Sequence, residues 1–138
     1  DGLHQKAGSR TVWELHGSVL RNYCEECGKE YGVAFIMNSK SIPRCSCGGI
    51  VKPDVVLYEE CLDQEVLNHA VADISGAEVL IVGGTSLSVY PAAGLIDYYK
   101  GSKLVLINRD ATPRDQEADL VIRENIGKVL SHCVDVNI

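Results

Sequence analysis

The residues with the clearest chemistry in this chain are four cysteines, set as the two close pairs Cys24–Cys27 and Cys45–Cys47. Two residues separate the first pair, and a single residue separates the second. When two such turns come together, their sulfurs can surround one ion in the tetrahedral arrangement of structural zinc. Disulfides are the alternative, but Cys45 and Cys47 are too close to pair easily with each other, and nothing resembles a secretory signal.

Two short polar sequences are candidates for binding a nucleotide. Gly84-Thr85-Ser86 follows an apolar run and offers backbone N–H groups and hydroxyls, which suit a phosphate group. Asn108-Arg109-Asp110 follows the next apolar run, and its amide and carboxylate suit the vicinal hydroxyls of a ribose. Both sequences also occur in ordinary turns, so the alternative of a purely structural role stays open.

His16 is the candidate general base of the chain. It lies between Leu15 and Gly17 in a predicted turn rather than on an apolar face. An imidazole changes charge near neutral pH, which suits it to proton transfer. A structural or solvated role is the alternative, and we favour that role for His69 and His132, which fall within predicted helices.

Alternating strands and helices must position these residues. Three uniformly apolar runs are typical of parallel strands buried on both faces, and they lie at 79–82, 104–107 and 120–122. Helices are predicted from Asp63 to Gly76, at 91–99 and at 127–132, with a strand at 55–58 and a short helix or strand at 33–37. This order predicts an α/β fold with a doubly wound parallel, Rossmann-like sheet, here incomplete.

The composition shifts at 23–53 to Cys, Gly, Lys and Glu, which predicts a small inserted zinc-ribbon module. We therefore divide the chain into 1–22, which carries His16, the zinc module at 23–53, and the C-terminal part of the Rossmann-like domain at 54–138. Cys61 and Cys133 lie outside the two pairs and are expected to be reduced, as in a cytoplasmic protein.

Charge and hydropathy exclude two classes of partner. The 138-residue chain has a formal net charge of −6, which disfavours direct nucleic-acid binding. No apolar run approaches the roughly 18 residues of a membrane span. The chain begins at Asp1 without an initiator Met, so we expect it to be a fragment.

An ordered set of motifs resembles the sirtuins, a family of NAD-dependent protein lysine deacylases. The set is Asp1-Gly2-Leu3-His4-Gln5-Lys6-Ala7-Gly8, Glu14-Leu15-His16-Gly17, the two cysteine pairs, Lys52-Pro53-Asp54-Val55-Val56, Gly84-Thr85-Ser86-Leu87 and Val89-Tyr90-Pro91-Ala92-Ala93. The resemblance runs from Asp1 to at least Ile126 and indicates the C-terminal portion of a bacterial-type member. The Gly-Ala-Gly segment found at the N-terminus of the family is absent from this chain.

The resemblance implies a role for each matching residue. His16 would be the catalytic base, and Asp1 would contact the nicotinamide carboxamide of NAD. The other implied NAD contacts are Gly84, Thr85, Ser86, Asn108, Arg109, Asp110 and Ile126. Val56, Tyr58 and Val89 would line the acyl-lysine slot, where the substrate backbone lies as an added strand between two protein strands. Cys24, Cys27, Cys45 and Cys47 would hold one structural zinc ion.

The implied activity is deacylation of acyl-lysine in proteins or peptides, giving nicotinamide and O-acyl-ADP-ribose. The alternatives are a mono-ADP-ribosyltransferase and a non-catalytic zinc-stapled module that binds a nucleotide or a protein. We expect the fragment alone to be inactive, because it lacks half of the phosphate cradle. One departure concerns the substrate: the family usually reads Phe-Gly-Glu where this chain has Tyr58-Glu59-Glu60. Glu59 therefore adds a side chain and a charge beside the implied peptide groove.

Overall fold

Two three-stranded sheets organise the described part of the chain. The computed structural model describes residues 1–133. The chain forms two units, Asp1–Leu67 and Asn68–Ile138, and each sheet lies within one of them. The sequence-based division at 1–22, 23–53 and 54–138 stays a prediction. Within the described part of the chain, no helix combines the length and the apolar character needed to cross a membrane.

The sheet of the first unit is antiparallel and has the strand order β2-β1-β3. Its strands are β1 (Gly17–Cys24), β2 (Glu30–Gly32) and β3 (Val51–Val55). Two short helices accompany them, α1 (Leu3–Lys6) before β1 and α2 (Val33–Met37) directly after β2. The helical interpretation of 33–37 is therefore confirmed. This unit carries both His16 and the four paired cysteines.

The strand predicted at 55–58 is wrong, because β3 ends at Val55. Gly17 pairs with Val55 at the last ladder position, and beyond it the chain bends. The backbone N–H of Glu60 donates to the carbonyl oxygen of Leu57 at 3.2 Å, which closes a turn. Strand propensity in 56–58 is overridden because that segment has no full ladder partner in the described structure.

The ladder between β1 and β3 contains a bulge. Ser18 pairs with Asp54 and Asn22 pairs with Pro53, so residues 19–21 of β1 fall between two adjacent positions of β3. A bulge bends its strand and redirects side chains. Here it contains Arg21, which reaches back to the Asp54 carboxylate.

The sheet of the second unit is parallel, with the order β4-β5-β6. Its strands are β4 (Val79–Gly83), β5 (Lys103–Ile107) and β6 (Leu120–Ile122), as the apolar runs predict. Helix α3 (Gln64–Gly76) precedes β4, and α4 (Ile126–Cys133) follows β6. The predicted helix at 91–99 is present as a 3₁₀ helix, Ala92–Tyr98, and a short 3₁₀ turn covers Asp115–Glu117. The mixed α/β fold with a parallel sheet is confirmed.

Helix α3 begins as the sequence predicts. The Asp63 carboxylate accepts hydrogen bonds from the backbone N–H groups of Glu65 at 2.8 Å and Val66 at 3.0 Å. These bonds satisfy two of the donors that a helix N-terminus leaves without intrahelical partners.

The expectation that β4 is buried on both faces is wrong. Leu80 and Val82 pack against the core of the unit, but Val79 and Ile81 are about half exposed, at 47% and 55%. Because successive strand side chains alternate between faces, the core covers only one side of β4. That core contains Leu87, Ile96, Leu104 and Leu106. A smaller cluster in the first unit contains Cys24, Cys45 and Val51.

Candidate metal centre and nucleotide-binding edge

The four paired cysteines converge on one point, which we call the four-sulfur centre: Cys24, Cys27, Cys45 and Cys47. Their sulfur atoms all lie within 4.8 Å of one another. The contacts Cys24–Cys47, Cys27–Cys45 and Cys27–Cys47 measure 3.5, 3.6 and 3.5 Å. A tetrahedral zinc ion with Zn–S bonds of about 2.3 Å would separate its sulfurs by about 3.8 Å. The donor set therefore fits one zinc ion with four protein ligands.

Two turns of the backbone present the sulfurs. The N–H of Gly28 donates to the carbonyl of Cys24, and the N–H of Gly48 donates to the carbonyl of Cys45, both at 2.9 Å. Gly49 lies against the centre so closely that a Cβ there would lie 2.6 Å from the Cys24 sulfur. A single-residue spacer between Cys45 and Cys47 is therefore compatible with convergence of all four ligands.

The hydroxyl of Tyr31 donates a hydrogen bond to the Cys45 sulfur at 3.1 Å. Sequence reasoning missed this residue. Tyr31 lies on β2, which reaches the centre only because β2 pairs with β1. The closeness of Tyr31 to Cys27 in the sequence is only a weak sign of a contact with the sulfurs, since a tyrosine in a strand usually packs against a neighbouring side chain.

Ionisation of the centre depends on charge neutralisation. The N–H of Cys47 and then the hydroxyl of Tyr31 lower the pKa of the Cys45 thiol to about 5. The N–H of Gly49 lowers the pKa of Cys47, but hydrogen bonds with the neighbouring sulfurs outweigh it and raise that pKa to about 12. Four sulfurs this close do not all ionise without a cation, and a divalent ion supplies the charge that allows four thiolates.

His16 lies in a tight turn directly before β1. The N–H of Gly17 donates to the carbonyl of Glu14 at 2.9 Å, and the N–H of Val56 donates to the carbonyl of His16 at 3.1 Å. Gly17 has a φ of 72°, and a Cβ there would lie 1.9 Å from the carbonyl oxygen of Asp54. Only glycine fits this position, because both the backbone angle and the space exclude a side chain.

An ion-pair network fixes this turn against β3. Arg21 donates to the Glu14 carboxylate at 2.5 Å and to the Asp54 carboxylate at 2.9 Å. The hydrogen bond from Arg21 is the largest influence on Glu14 and lowers its pKa. Sequence reasoning missed the network because Arg21 and Asp54 are 33 positions apart and meet only through the β1–β3 bulge.

The other predicted site residues of the first unit lie near its surface. The Asp1 carboxylate accepts a hydrogen bond from the N–H of Leu3 at 3.0 Å, at the start of α1. Val56 is half-buried beside His16, and Tyr58 is 99% exposed at the tip of the following turn. Val89, predicted to line the same slot, belongs to the second unit and is 59% exposed.

The predicted nucleotide contacts of the second unit collect at the carboxyl edge of its parallel sheet. Gly83 of β4 is level with Ile107 of β5, and Ile107 is level with Ile122 of β6. The N–H of Gly84 donates to the carbonyl of Ile107 at 3.0 Å, so Gly84 begins the turn beside Asn108. Ligands of open parallel sheets bind at this edge.

Local hydrogen bonds shape both turns at this edge. The Thr85 hydroxyl accepts from the N–H of Leu87 at 3.2 Å, and the hydroxyls of Ser86 and Ser88 lie 2.6 Å apart. In the neighbouring turn, the Asn108 amide donates to the carbonyl of Asp110 at 3.0 Å. That bond uses the amide nitrogen, so the amide oxygen of Asn108 keeps its capacity to accept from a ligand hydroxyl.

Two further residues complete this edge. Ile126, the first residue of α4, lies over β4, since a Cβ on Gly83 would be 2.2 Å from its Cδ1 atom. Arg123 donates to the carbonyl of Asp110 at 2.9 Å and to the Asp115 carboxylate. Sequence reasoning missed Arg123, which directly follows β6 and supports the predicted ribose turn. Arg109 is exposed beside it.

A model of the family described as "Sir2 family" matches residues 1–91, about two thirds of the chain. The chain belongs to the Sir2 family. It is 63% identical over 132 residues to an NAD-dependent protein deacetylase of Clostridium acetobutylicum, a match that covers 94% of this chain and 54% of that protein. It is 62% identical over 137 residues to an NAD-dependent protein deacetylase of Clostridium perfringens, a match that covers 98% of this chain and 56% of that protein. The chain thus spans about half the length of these curated sirtuins.

Solved sirtuin structures share the fold. A Sir2 complex with a p53 peptide and NAD⁺ is 40% identical, has a TM-score of 0.85, and covers 93% of this chain and 56% of its own. Another, described as giving the structural basis for the mechanism and regulation of Sir2 enzymes, is 41% identical with a TM-score of 0.86, covering 97% and 57%. Sirtuin membership and the four-sulfur centre together confirm the sequence-based family assignment.

Proposed function

We propose that this chain is part of an NAD-dependent protein lysine deacylase, which removes acetyl and related acyl groups and yields nicotinamide and O-acyl-ADP-ribose. The proposal rests mainly on the turn that contains His16. The backbone carbonyl of His16 accepts a hydrogen bond from the N–H of Val56, which lies in the segment proposed to receive acyl-lysine. Family membership and 63% identity to an NAD-dependent protein deacetylase support the same activity.

His16 is proposed as the general base. NAD, when bound, supplies a ribose carbon activated by its nicotinamide leaving group. The imidazole of His16 would take a proton from a ribose hydroxyl, and a positioned base of this kind contributes about 10²–10⁴-fold to a rate. The glycine turn and the Arg21 network hold the His16 backbone in place, which limits the positions the imidazole can take.

The nucleotide-binding role is proposed for the carboxyl edge of the parallel sheet. Gly84, Thr85 and Ser86 would face the phosphate and ribose side of NAD with N–H groups and hydroxyls. Asn108, with Arg109 and Asp110 beside it, would bind the adenosine ribose, and Ile126 would contact the adenine. Contact of Asp1 with the nicotinamide carboxamide stays a prediction from the motif that begins the chain. The convergence of the turns after β4 and β5 supports the assignments within the second unit.

The substrate slot and the metal have separate roles in this proposal. Val56 and Tyr58 of the first unit would line the acyl-lysine slot, with the peptide added as a strand. The role of Val89 stays a prediction. A zinc ion in the four-sulfur centre would have four protein ligands and no open position, so it would stabilise the fold rather than activate water. Reduced cysteines are usual in cytosolic proteins, which agrees with a proposed cytoplasmic location.

Product analysis tests the function. The protein carrying this chain at its full length is incubated with NAD and an acetyl-lysine peptide, and we expect equal amounts of nicotinamide, deacetylated peptide and O-acetyl-ADP-ribose by mass spectrometry. A protein that gains the mass of ADP-ribose while the peptide stays acetylated would instead indicate a mono-ADP-ribosyltransferase. If neither product forms, whether or not NAD binds, the remaining alternative is a non-catalytic zinc-stapled module. Residues 1–138 alone are proposed to be inactive.

A further inference from the structure

A strained turn follows the proposed substrate strand. The backbone N–H of Glu60 donates to the carbonyl of Leu57 at 3.2 Å, and Glu59, the third residue of the turn, has a φ of 71°. Tyr58, the second residue, is not among the residues with positive φ. This is the type II pattern, in which the third position favours glycine because a Cβ is strained there. The chain nevertheless places a glutamate at this position.

Nothing in the first unit accounts for the side chain of Glu59. Within residues 1–133 its carboxylate has no hydrogen bond or ion pair, and the residue is exposed. The turn itself is fixed by its neighbour: the Glu60 carboxylate accepts from the N–H of Leu57 at 2.9 Å and from Lys52 at 3.0 Å. The strain at Glu59 is therefore not offset by a contact of its own side chain within residues 1–133.

The charges around this turn leave Glu59 as its unneutralised acid. The hydrogen bond from the Leu57 N–H and then the one from Lys52 lower the pKa of Glu60, and Lys52 balances its charge. Asp54, at the other end of the segment and outside the turn, shares Arg21 with Glu14, at 2.9 and 2.5 Å. The carboxylate of Glu59 thus projects its charge to solvent directly after Tyr58, which is 99% exposed.

We infer that Glu59 makes this protein select acyl-lysine peptides that carry an arginine or lysine close to the modified residue. The inference rests on the proposed function, because it takes 56–58 as the segment beside which the substrate lies. β3 is an edge strand of its sheet in the described structure, so an extended peptide can lie beside the segment that continues it. A cationic side chain of that peptide comes within reach of the Glu59 carboxylate and is attracted to it.

The experiment compares matched acetyl-lysine peptides that differ at one position, which is arginine, glutamine or glutamate, moved stepwise along both sides of the acetyl-lysine. Binding is measured by fluorescence anisotropy, and kcat/KM is measured with NAD, both on the full-length protein. At its best position, we expect arginine to be favoured about 3- to 5-fold over glutamine, as for one partly exposed charge pair, and glutamate to be disfavoured. The preference should shrink in high salt.

Three variants identify the residue responsible. Glu59→Gln removes the charge, and Glu59→Gly removes both the charge and the backbone strain, so at least one of them should fold as well as the wild type. Both variants should bind and turn over the arginine and glutamate peptides nearly equally, while Glu59→Asp should still prefer arginine over glutamine and glutamine over glutamate. Glu30→Gln is the matched control, because Glu30 is an exposed carboxylate of the same unit on β2. It should leave the preference unchanged.

Each other outcome is decisive. Equal binding and turnover of all peptides by the wild type would overturn the charge preference and leave the deacylase proposal standing. A preference that survives in both Glu59→Gln and Glu59→Gly would assign it to another residue. Neither binding nor turnover of any acyl-lysine peptide would overturn the proposed function, and with it this inference.

Discussion

The backbone N–H of Val56 donates a hydrogen bond to the carbonyl oxygen of His16 at 3.1 Å. This single bond continues the β1–β3 ladder by one step beyond its last pair, Gly17 and Val55. It ties the proposed base to the first residue of the proposed substrate segment. A change that moves one of them is therefore expected to displace the other.

Replacing His16 with alanine should abolish deacylation by the full-length protein. The loss should be at least about 10²–10⁴-fold in kcat, because the proton acceptor is removed. Binding of an acetylated peptide should stay nearly intact, since the bond to Val56 uses the His16 backbone rather than its side chain. Turnover at the wild-type rate would remove His16 from the mechanism, and a parallel loss of peptide binding would indicate a structural role.

Replacing Gly17 with alanine should destabilise the first unit strongly. The left-handed backbone costs about 1–2 kcal/mol, and the clash with the Asp54 carbonyl adds about 1–3 kcal/mol. Gly8→Ala is the matched control, because Gly8 has a φ of 83° but nothing within 4 Å of a Cβ. Gly8→Ala should lower the free energy of unfolding only by the cost of the left-handed backbone. Equal loss of denaturation midpoint in the two variants would contradict the close approach to β3.

Removing zinc should unfold at least residues 23–53. The cluster of apolar residues around the four-sulfur centre is small, so the metal is expected to provide much of the stability there. A strong chelator, or Cys45→Ser, should change the far-UV and near-UV circular dichroism spectra. Cys61→Ser is the control, because Cys61 is an exposed cysteine outside the centre. Unchanged spectra after complete zinc removal would count against a structural metal.

Replacing Tyr31 with phenylalanine should weaken zinc retention about 10- to 100-fold, because the variant loses a hydrogen bond that orients and stabilises the Cys45 thiolate. The measurement is the rate at which a chromogenic chelator extracts zinc from the folded protein. Tyr23→Phe is the control, because it removes a hydroxyl from β1 of the same sheet; its zinc should be extracted at the wild-type rate. Equal rates in wild type and Tyr31→Phe would show that the hydroxyl does not support the metal.

Acid should weaken the turn that carries His16. Because Arg21 lowers the folded-state pKa of Glu14, this carboxylate stabilises the fold above the ordinary glutamate pKa, and the contribution is lost as pH falls through the lowered value. Wild type should therefore melt higher than Glu14→Gln near pH 7. The difference should begin to shrink as the pH falls below the ordinary glutamate pKa of about 4.3, and it should disappear only below the lowered value. A difference in melting temperature that is constant from neutral to acidic pH would contradict the ion-pair explanation.

Local chemistry was readable from the sequence where it depends on neighbours along the chain. The two cysteine pairs, the apolar runs of β4, β5 and β6, and the Asp63 cap each lie within a few consecutive residues. Parallel strands joined by helices bring their carboxyl ends to one edge, so the proximity of Gly84 to Asn108 also followed from element order.

The strand predicted at 55–58 failed because strand ends depend on pairing. β3 lies earlier, at Val51–Val55, because its ladder with β1 fixes its limits, whereas the apolar residues after it enter a turn. The prediction that β4 is buried on both faces was wrong for a similar reason. An apolar run shows that both faces of a strand can be buried, but it does not show which faces other elements cover.

By itself, the sequence determined the ligand types of the metal centre, the order of strands and helices in the second unit, and the sirtuin motifs. Only the tertiary structure decided that Tyr31 reaches the Cys45 sulfur and that Arg21 joins Glu14 to Asp54. It also decided that Glu59 lies on a strained turn with no side-chain partner among residues 1–133. The physical reason is separation along the chain. Contacts between distant residues form only once the β-ladders fix the register of the strands and the position of the bulge. No local sequence pattern determines that register or that position.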